Sequence, residues 1–379
     1  MFMKRSLSVA MVIPTLNRYS LLKKSLESIS YQSYSPDEVI VVDNGVNRCS
    51  YDELLNKFGK GLKIRFLQQE KESIPQARNR GIEAVKSDIV VLSDDDCIFS
   101  KEWIENLIQP FMDDPNIGIV GGEILTEAYS NSLVDNYFVD MKMSRVGITC
   151  DSKWKRGYAS GEISINSGFA IQPFFTAANM AVRKNTFDTI GRFDTDFKTN
   201  EDLEFCIRAV KNGFKLYFEP KAIVIHKPPR TLKRILRSWY GYGIYHGPLF
   251  RKYNHGITEI YIYKSWKEGA YPNFIHFIFK IPFNAVVFIN SFHLMNISFI
   301  LAVISRMLSY NDFYTMFILL FFLSLFRYLW LRIKTFSRPK IFLYLIINYL
   351  LNLSYCFGAF IGGLRSGMFY LEATVDEVR

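Results

Sequence analysis

The sequence predicts an α/β domain with a mostly parallel, doubly wound sheet, followed by an all-α transmembrane region. Three observations predict it. Strand and helix patterns alternate up to about residue 225. The apolar runs that read as strands lack polar alternation, as strands covered on both faces do. Beyond about residue 270, three apolar stretches are each about long enough to cross a ~30 Å hydrocarbon core.

Taken in order, "LSVAMVIPT" is the first strand, and Leu21, Leu22, Leu26 and Ile29 in "YSLLKKSLESISYQ" recur at helical spacing. The strand "DEVIVVDNG", a helix around "DELLNKF", the strand "KIRFLQQ" and the helix "IPQARNRGIEAVKS" follow. Next comes "DIVVLSDDDCIF", in which an apolar run ends in three consecutive aspartates, Asp94, Asp95 and Asp96. Repeated strand, helix, strand is the pattern of a parallel sheet. Such sheets bind ligands at the carboxyl ends of their strands. Thr15, Asn17 and Arg18 stand after the first strand, Asp43 and Asn44 after the second, and the aspartates after the fourth.

The chain divides at 1–227, 228–270 and 271–379, in keeping with a length of 379 residues. The last region holds "IPFNAVVFINSFHLMNISFILAVIS", "FYTMFILLFFLSLFRYLWL" and "IFLYLIINYLLNLSYCFGAFIGG". Arg332, Lys334, Arg338 and Lys340 between the second and third face the cytoplasm by the positive-inside rule, and the tail "LEATVDEVR" is net acidic. Three spans from a cytoplasmic N-terminal domain satisfy both constraints. The first stretch, with His293 and several Asn and Ser, also reads as an interfacial or re-entrant element.

A net charge of +10 calls for an anionic partner. Between Pro220 and Gly256 there are eight Lys and Arg and no acid; Leu232, Ile235, Leu236 and Trp239 form one flank of a helix, with Lys233, Arg234 and Arg237 on the other. This predicts a basic amphipathic helix at an anionic leaflet. A nucleic-acid surface is the competing reading, and the spans that follow favour the membrane. The basic start "MFMKRSLSVAMVIPTLNR" has too short an apolar stretch for a signal peptide and reads as a strand. Five cysteines without metal-ligand spacing fit a reducing compartment.

Clustered carboxylates at a strand end can cap the next helix, bind a divalent metal, or act as acid and base. Ser100 already stands in the capping position before "KEWIENLI". A hard cation removes the repulsion and leaves positions for phosphate oxygens. Arg78 and Arg80 suit a diphosphate. Glu201 and Asp202 open a later helix, where they either favour its dipole or supply a second acidic group.

Together "MVIPTLNR", "VVDNG", "ARNRGIEAVKSDIVVLSDDDC", "TAANMAVRKNTFDTIGRFDTDF" and "NEDLEFCIRAVKNGFKLYFEPKAIVIH" resemble, in order and at normal spacing over residues 6–230, the family 2 glycosyltransferases of GT-A fold. The resemblance implies a Rossmann-like GT-A domain over 1–227, nucleotide-diphosphate-sugar binding, inversion, and a divalent metal, Mg or Mn. It implies that Asp43 meets the nucleotide base, and that Thr15, Asn17 and Arg78 help hold the nucleotide. Asp94 and Asp96 match the Asp-x-Asp pair, with Asp96 the direct metal ligand and Asp94 nearer the ribose and the metal's waters. Asn179 falls at the sugar pocket, Asp202 at the catalytic base with Glu201 in support, and His226 at a third ligand to metal or diphosphate.

The expected activity is membrane-anchored, inverting sugar transfer to a lipid-linked or polysaccharide acceptor at the cytoplasmic face. Processive members carry Gln-x-x-Arg-Trp after the base; "RILRSWY" lacks the Gln, which favours single-sugar transfer over a processive synthase. A nucleotidyltransferase would carry a Gly-rich loop where "IPTLNRYS" has none. A catalytically silent nucleotide-binding scaffold would not need Asp94, Asp96 and Asp202. The Gly-, Ser- and charge-rich stretch 130–172 reads as an acceptor-side loop or a solvated excursion.

Overall fold

A computed structural model describes residues 7–45, 51–70, 72–127, 132–140, 157–158, 174–227, 231–253, 258–263, 274–280, 283–333 and 340–372. Most of the expected acceptor-side loop, and the cations Lys334 and Arg338, lie outside these residues. The chain forms two compact units. The first holds the described residues up to Lys227 except 132–140, and the second holds 132–140 and everything from 231 onward.

In the first unit, chain order runs β1 (Val9–Thr15), α1 (Tyr19–Ser30), β2 (Glu38–Asp43), α2 (Asp52–Phe58), β3 (Ile64–Gln68), α3 (Ile74–Glu83), β4 (Ile89–Leu92), β5 (Cys97–Phe99), α4 (Trp103–Asp113) and β6 (Ile117–Leu125). After α5 (Leu133–Asp140), which belongs to the second unit, come β7 (Gly157–Tyr158), β8 (Met180–Arg183), α6 (Lys184–Ile190), α7 (Glu201–Lys211) and β9 (Lys215–His226). The sheet order is β3-β2-β1-β4-β8-β6-β9-β5, with β7 on β9. Strands β3, β2, β1 and β4 are mutually parallel, as is β6 with β9; β8 and β5 run antiparallel to their neighbours.

Both faces of this sheet are covered, which is why its strands carry no polar alternation. Val9, Met11 and Ile13 of β1 pack with Leu22, Leu26, Trp103 and Leu107 on one face. Ala10 and Val12 pack with Ala77, Ile82, Phe205 and Cys206 on the other. A Cβ on Gly81 would collide with Val12, so α3 lies close on β1. That approach, with Gln76 reaching back to accept from the Ser73 N–H at 2.9 Å in a capping box, fixes where Arg78 points. The expected Ser100 cap does not form: β5 intervenes, the Ser100 N–H donates to Ile223 O at 3.1 Å, and α4 starts only at Trp103.

The second unit holds α8 (Leu232–Tyr253), β10 (Thr258–Tyr263), β11 (Phe274–Phe279), β12 (Ala285–Ile289), α9 (Ser291–Met307), α10 (Asn311–Ile333), α11 (Ile341–Arg365) and β13 (Phe369–Leu371). Its helices are accompanied by a four-stranded sheet, β11-β10-β12-β13, that sequence reading did not contain. Helices α10 and α11 are long and apolar enough to cross a membrane. The first apolar stretch is instead divided between β12 and the 17-residue α9. Asn290 makes the break: its side chain accepts from the His293 N–H at 3.1 Å and caps α9. Arg332, expected in the basic loop, lies inside α10, buried, with Nε donating to Asn348 Oδ1 at 2.5 Å.

Helix α8 is amphipathic as expected, but what its apolar face meets is α11. Cβ atoms on Gly243, Gly358 or Gly362 would collide with Tyr355 O, Tyr240 O and Ile244 O respectively, so the two backbones touch through glycine. At one end of this pair His246, Tyr355 and Tyr370 gather on Glu372: Tyr355 donates to Glu372 Oε2 at 2.8 Å and His246 Nδ1 lies 3.1 Å from it.

Candidate active site

Parallel register brings the strand ends together. Thr15 pairs with Asp43 across β1 and β2, and Val12 with Leu92 across β1 and β4, so the aspartates emerge beside Thr15. Asp43 is buried; its Oδ1 accepts from the Gly45 N–H at 2.9 Å, and its Oδ2 has no hydrogen-bond partner among the described residues. A Cβ on Gly45 would lie 2.5 Å from Asn17 Oδ1 and 2.9 Å from Asp43 Oδ1, so both side chains lie close against this glycine. Asn17 is exposed at φ 54°, a left-handed conformation that asparagine tolerates.

Two guanidinium groups offset the mutual repulsion of the three aspartates: Arg18 meets Asp95 and Asp96, and Arg78 meets Asp94. Asp95 turns back to β1, accepting from Thr15 Oγ1 at 2.7 Å and Arg18 Nη1 at 3.0 Å. Asp94 accepts from Arg78 Nη2 at 2.7 Å. Asp96 accepts from Arg18 Nη1 at 2.8 Å through Oδ2, while its Oδ1 lies 3.3 Å from His226 Nε2. Burial pushes Asp95 up to about 6 against the pull of Arg18 and Thr15. Burial also pushes on Asp96, but His226 and Arg18 outweigh it and hold that carboxyl below its usual range.

Arg78 is the centre of the arrangement. It is 5 % exposed, and its second terminal nitrogen, Nη1, donates to Glu201. Burial would lower its pKa, but Asp94, Glu201 and Asp202 raise it, so it stays charged. Asn200 turns the chain at φ 64° and Glu201 opens α7. Asp202 beside it accepts from the Ala177 N–H at 3.3 Å and from its own neighbour, the Leu203 N–H, at 2.8 Å. Burial, then the Asp202 charge, pushes Glu201 up to about 7 against Arg78; burial also raises Asp202. A second link runs through the backbone, since Ser93 Oγ donates to Ala178 O at 2.7 Å, one residue from the amide that holds Asp202.

Thus the contacts form two groups, Thr15–Asp95–Arg18–Asp96–His226 and Asp94–Arg78–Glu201 with Asp202 next in the chain, which meet at the adjacent residues Asp94 and Asp95; Asn17 and Asp43 lie against Gly45 at the neighbouring strand end. Asn179 stands apart: its Oδ1 accepts from Trp103 Nε1 at 2.8 Å, and its Nδ2 donates to Glu123 O and Ala222 O, both at 2.9 Å. Two residues escaped assignment from sequence, Arg18 and Asp95. The signal was present, since Arg18 follows the first strand end and Asp95 lies inside the triplet.

Antiparallel pairing of β5 with β9 sets Cys97 opposite His226, which delivers the imidazole to Asp96. Ligand atoms of Asp96, Cys97 and His226 all lie within 4.8 Å of one another. Asp96 Oδ1 is buried and makes no aligned hydrogen bond, an orphaned oxygen facing an imidazole nitrogen. Asp96 and His226 offer oxygen and nitrogen donors, with the buried Cys97 thiol beside them. That set fits a hard or borderline divalent ion.

The family model described as "Glycosyltransferase like family 2" matches residues 6–239. Among curated proteins, a glucosyl-dolichyl phosphate glucuronosyltransferase of Haloferax volcanii is 24% identical over 58% of this chain and 68% of its own length. A dolichyl N-acetyl-alpha-D-glucosaminyl phosphate 3-beta-D-2,3-diacetamido-2,3-dideoxy-beta-D-glucuronosyltransferase of Methanococcus voltae is 24% identical over 64% of this chain and 74% of its own. Among solved structures, a mannosyltransferase of Pyrobaculum calidifontis in complex with GDP-Man and Mn2+ has a TM-score of 0.47 and 17% identity, covering 65% of this chain and 68% of that one. The match takes in the whole strand-end site, from Thr15 to His226, and extends to Trp239. The chain belongs to the family 2 glycosyltransferases.

Proposed function

We propose that the protein moves one sugar, with inversion, from a nucleotide-diphosphate sugar to a lipid-linked or polysaccharide acceptor at the cytoplasmic face of a membrane. The observation that carries this reading is Arg78, whose one guanidinium binds both Asp94 and Glu201 and so draws the donor-side and acceptor-side acids into one site.

In this reading the unpartnered Oδ2 of Asp43 accepts an N–H of the nucleotide base, with Thr15 and Asn17 beside it. Asp96 and His226 hold a divalent ion, Mg or Mn, with Asp94 alongside; when bound, that ion supplies charge neutralisation for the departing diphosphate. Asp202 accepts the proton of the acceptor hydroxyl as its oxygen bonds the sugar's anomeric carbon and the bond to the diphosphate breaks. Burial raises the basicity of Asp202, which suits it to that task. Glu201 is held by Arg78 and supports rather than replaces it. Arg78 positions Glu201 and Asp94 through its two terminal nitrogens, and its remaining N–H groups, the unpartnered Nε among them, help hold the nucleotide.

The lipid-linked acceptor is supported by the names of the two relatives, both of which act on dolichyl phosphate sugars, and by α10 and α11. Strand β12, directly before α9, pairs with β13, directly after α11, so the chain between them crosses an even number of times, and in this reading the crossings are α10 and α11. The lack of Gln in "RILRSWY" favours a single transfer.

The test is release of nucleoside diphosphate by the purified full chain across a panel of sugar nucleotides, with and without EDTA. Release from one donor, lost in EDTA and restored by Mn2+ or Mg2+, is expected. Pyrophosphate as the product, or full turnover in EDTA, overturns the reading. Asp202→Asn is expected to abolish transfer while donor affinity persists.

A further inference from the structure

We infer that Arg18 is a resident counter-ion of the carboxylate cluster that competes with the divalent ion and, once displaced, turns to the phosphate oxygens of the donor. This rests on the metal-dependent reading above.

A single nitrogen of Arg18, Nη1, lies 3.0 Å from Asp95 Oδ1 and 2.8 Å from Asp96 Oδ2. These are the two oxygens left over by the rest of the site, since Asp95 Oδ2 is held by Thr15 and Asp96 Oδ1 faces His226. Arg18 therefore stands where positive charge is wanted, on the carboxylate that the metal would share. A dication on Asp96 Oδ1 and a guanidinium on its Oδ2 repel across one carboxylate, so each weakens the other's hold there.

The backbone and side chain of Arg18 differ in freedom. Its carbonyl accepts from the Leu21 and Leu22 N–H groups at 2.9 and 3.0 Å and starts α1, so the backbone is fixed. Its side chain is 35% exposed, reaching the carboxylates from the rim. A guanidinium displaced from that position remains at the end of β1, where a donor's diphosphate would lie, and suits phosphate oxygens in a bidentate manner. The contrast with Arg78 is informative, because Arg78 is buried between its acids and cannot swing out.

The experiment measures Mn2+ affinity of the full chain in detergent without donor, for wild type, Arg18→Gln, Arg18→Lys and Asp96→Asn. Arg18→Gln is expected to bind Mn2+ at least about fivefold tighter, the low end of an ordinary coupling between two ligands of one site. It is also expected to raise KM for the donor. Arg18→Lys keeps the charge and stays near wild type in Mn2+ affinity, which also guards against a Gln variant that fails to fold. Unchanged or weaker Mn2+ binding in Arg18→Gln, with wild-type binding that Asp96→Asn removes, overturns the role of Arg18 alone. No Mn2+ binding by wild type, together with EDTA-insensitive turnover, overturns the metal-dependent reading and this inference with it.

Discussion

Asp94 and Glu201 share one guanidinium: Arg78 donates to Asp94 from Nη2 at 2.7 Å and to Glu201 from Nη1. Arg78 and Glu201 are nearly inaccessible while Asp94 is 27% exposed, so it is Glu201 that cannot fall back on water. Removing one partner of a buried ion pair costs roughly 3–5 kcal/mol because the charges left behind are uncompensated. Arg78→Ala is therefore expected to lower the unfolding free energy, read from denaturant titration, by an amount of that order. Arg78→Lys should recover part of the stability, since an ammonium meets one carboxylate well and a fork of two poorly. A Lys variant with wild-type turnover would show that the bridge is dispensable.

The acidic limb of the rate profile should be displaced upward. Burial raises the pKa of Asp202, and a base works only when ionised, so kcat/KM falls as pH drops through that raised value. Glu201→Gln removes a neighbouring negative charge and frees Arg78 to stabilise ionised Asp202, both of which lower its pKa. The limb in that variant is expected to shift to lower pH. A wild-type profile flat down to about pH 4, the ordinary carboxylate range, would exclude Asp202 as the base.

Much of this site was legible because parallel strands put their carboxyl ends together, so Thr15, Asp43 and the aspartates could be grouped from apolar runs alone. The destination of each aspartate was not legible. That Asp95 and Asp96 face Arg18 while Asp94 faces Arg78 depends on side-chain directions within one turn, where no periodicity operates. Arg78 was readable as a site residue but not as a buried bridge, because its partner Glu201 arrives from a distant helix. In the second unit, hydropathy averaged across Asn290 and merged β12 with α9, since a cap is one residue within a window of about 19. The glycines of α8 and α11 were visible, but the contact that requires them joins segments far apart in the chain.

Asn179 separates a structural role from a substrate role. Resemblance sets it at the sugar pocket, yet its amide is engaged by Trp103, Glu123 O and Ala222 O. Asn179→Ala would leave those buried groups without partners, at about 1–3 kcal/mol for each unsatisfied one. The expected result is a marked fall in thermal stability with little change in donor KM for the protein that remains folded. A large rise in KM at unchanged stability would instead give Asn179 the substrate role that the resemblance implies.

The glycine contact between α8 and α11 gives a paired comparison within one helix. Gly243 lies against Tyr355 O and Ala359 N, whereas a Cβ on Gly241 meets nothing within 4 Å. Gly241→Ala should be neutral or stabilise by about 0.5–1 kcal/mol through helix propensity. Gly243→Ala adds the same methyl group against rigid backbone, where overpacking costs about 1–3 kcal/mol and outweighs that gain. Melting of the two variants in the same detergent should therefore move in opposite directions. Gly362→Leu, set against Ile244 O from the other helix, is expected to fall further than Gly243→Ala because a larger side chain must force the same two backbones apart. Equal melting of Gly241→Ala and Gly243→Ala would mean that α8 does not pack on α11 through this face.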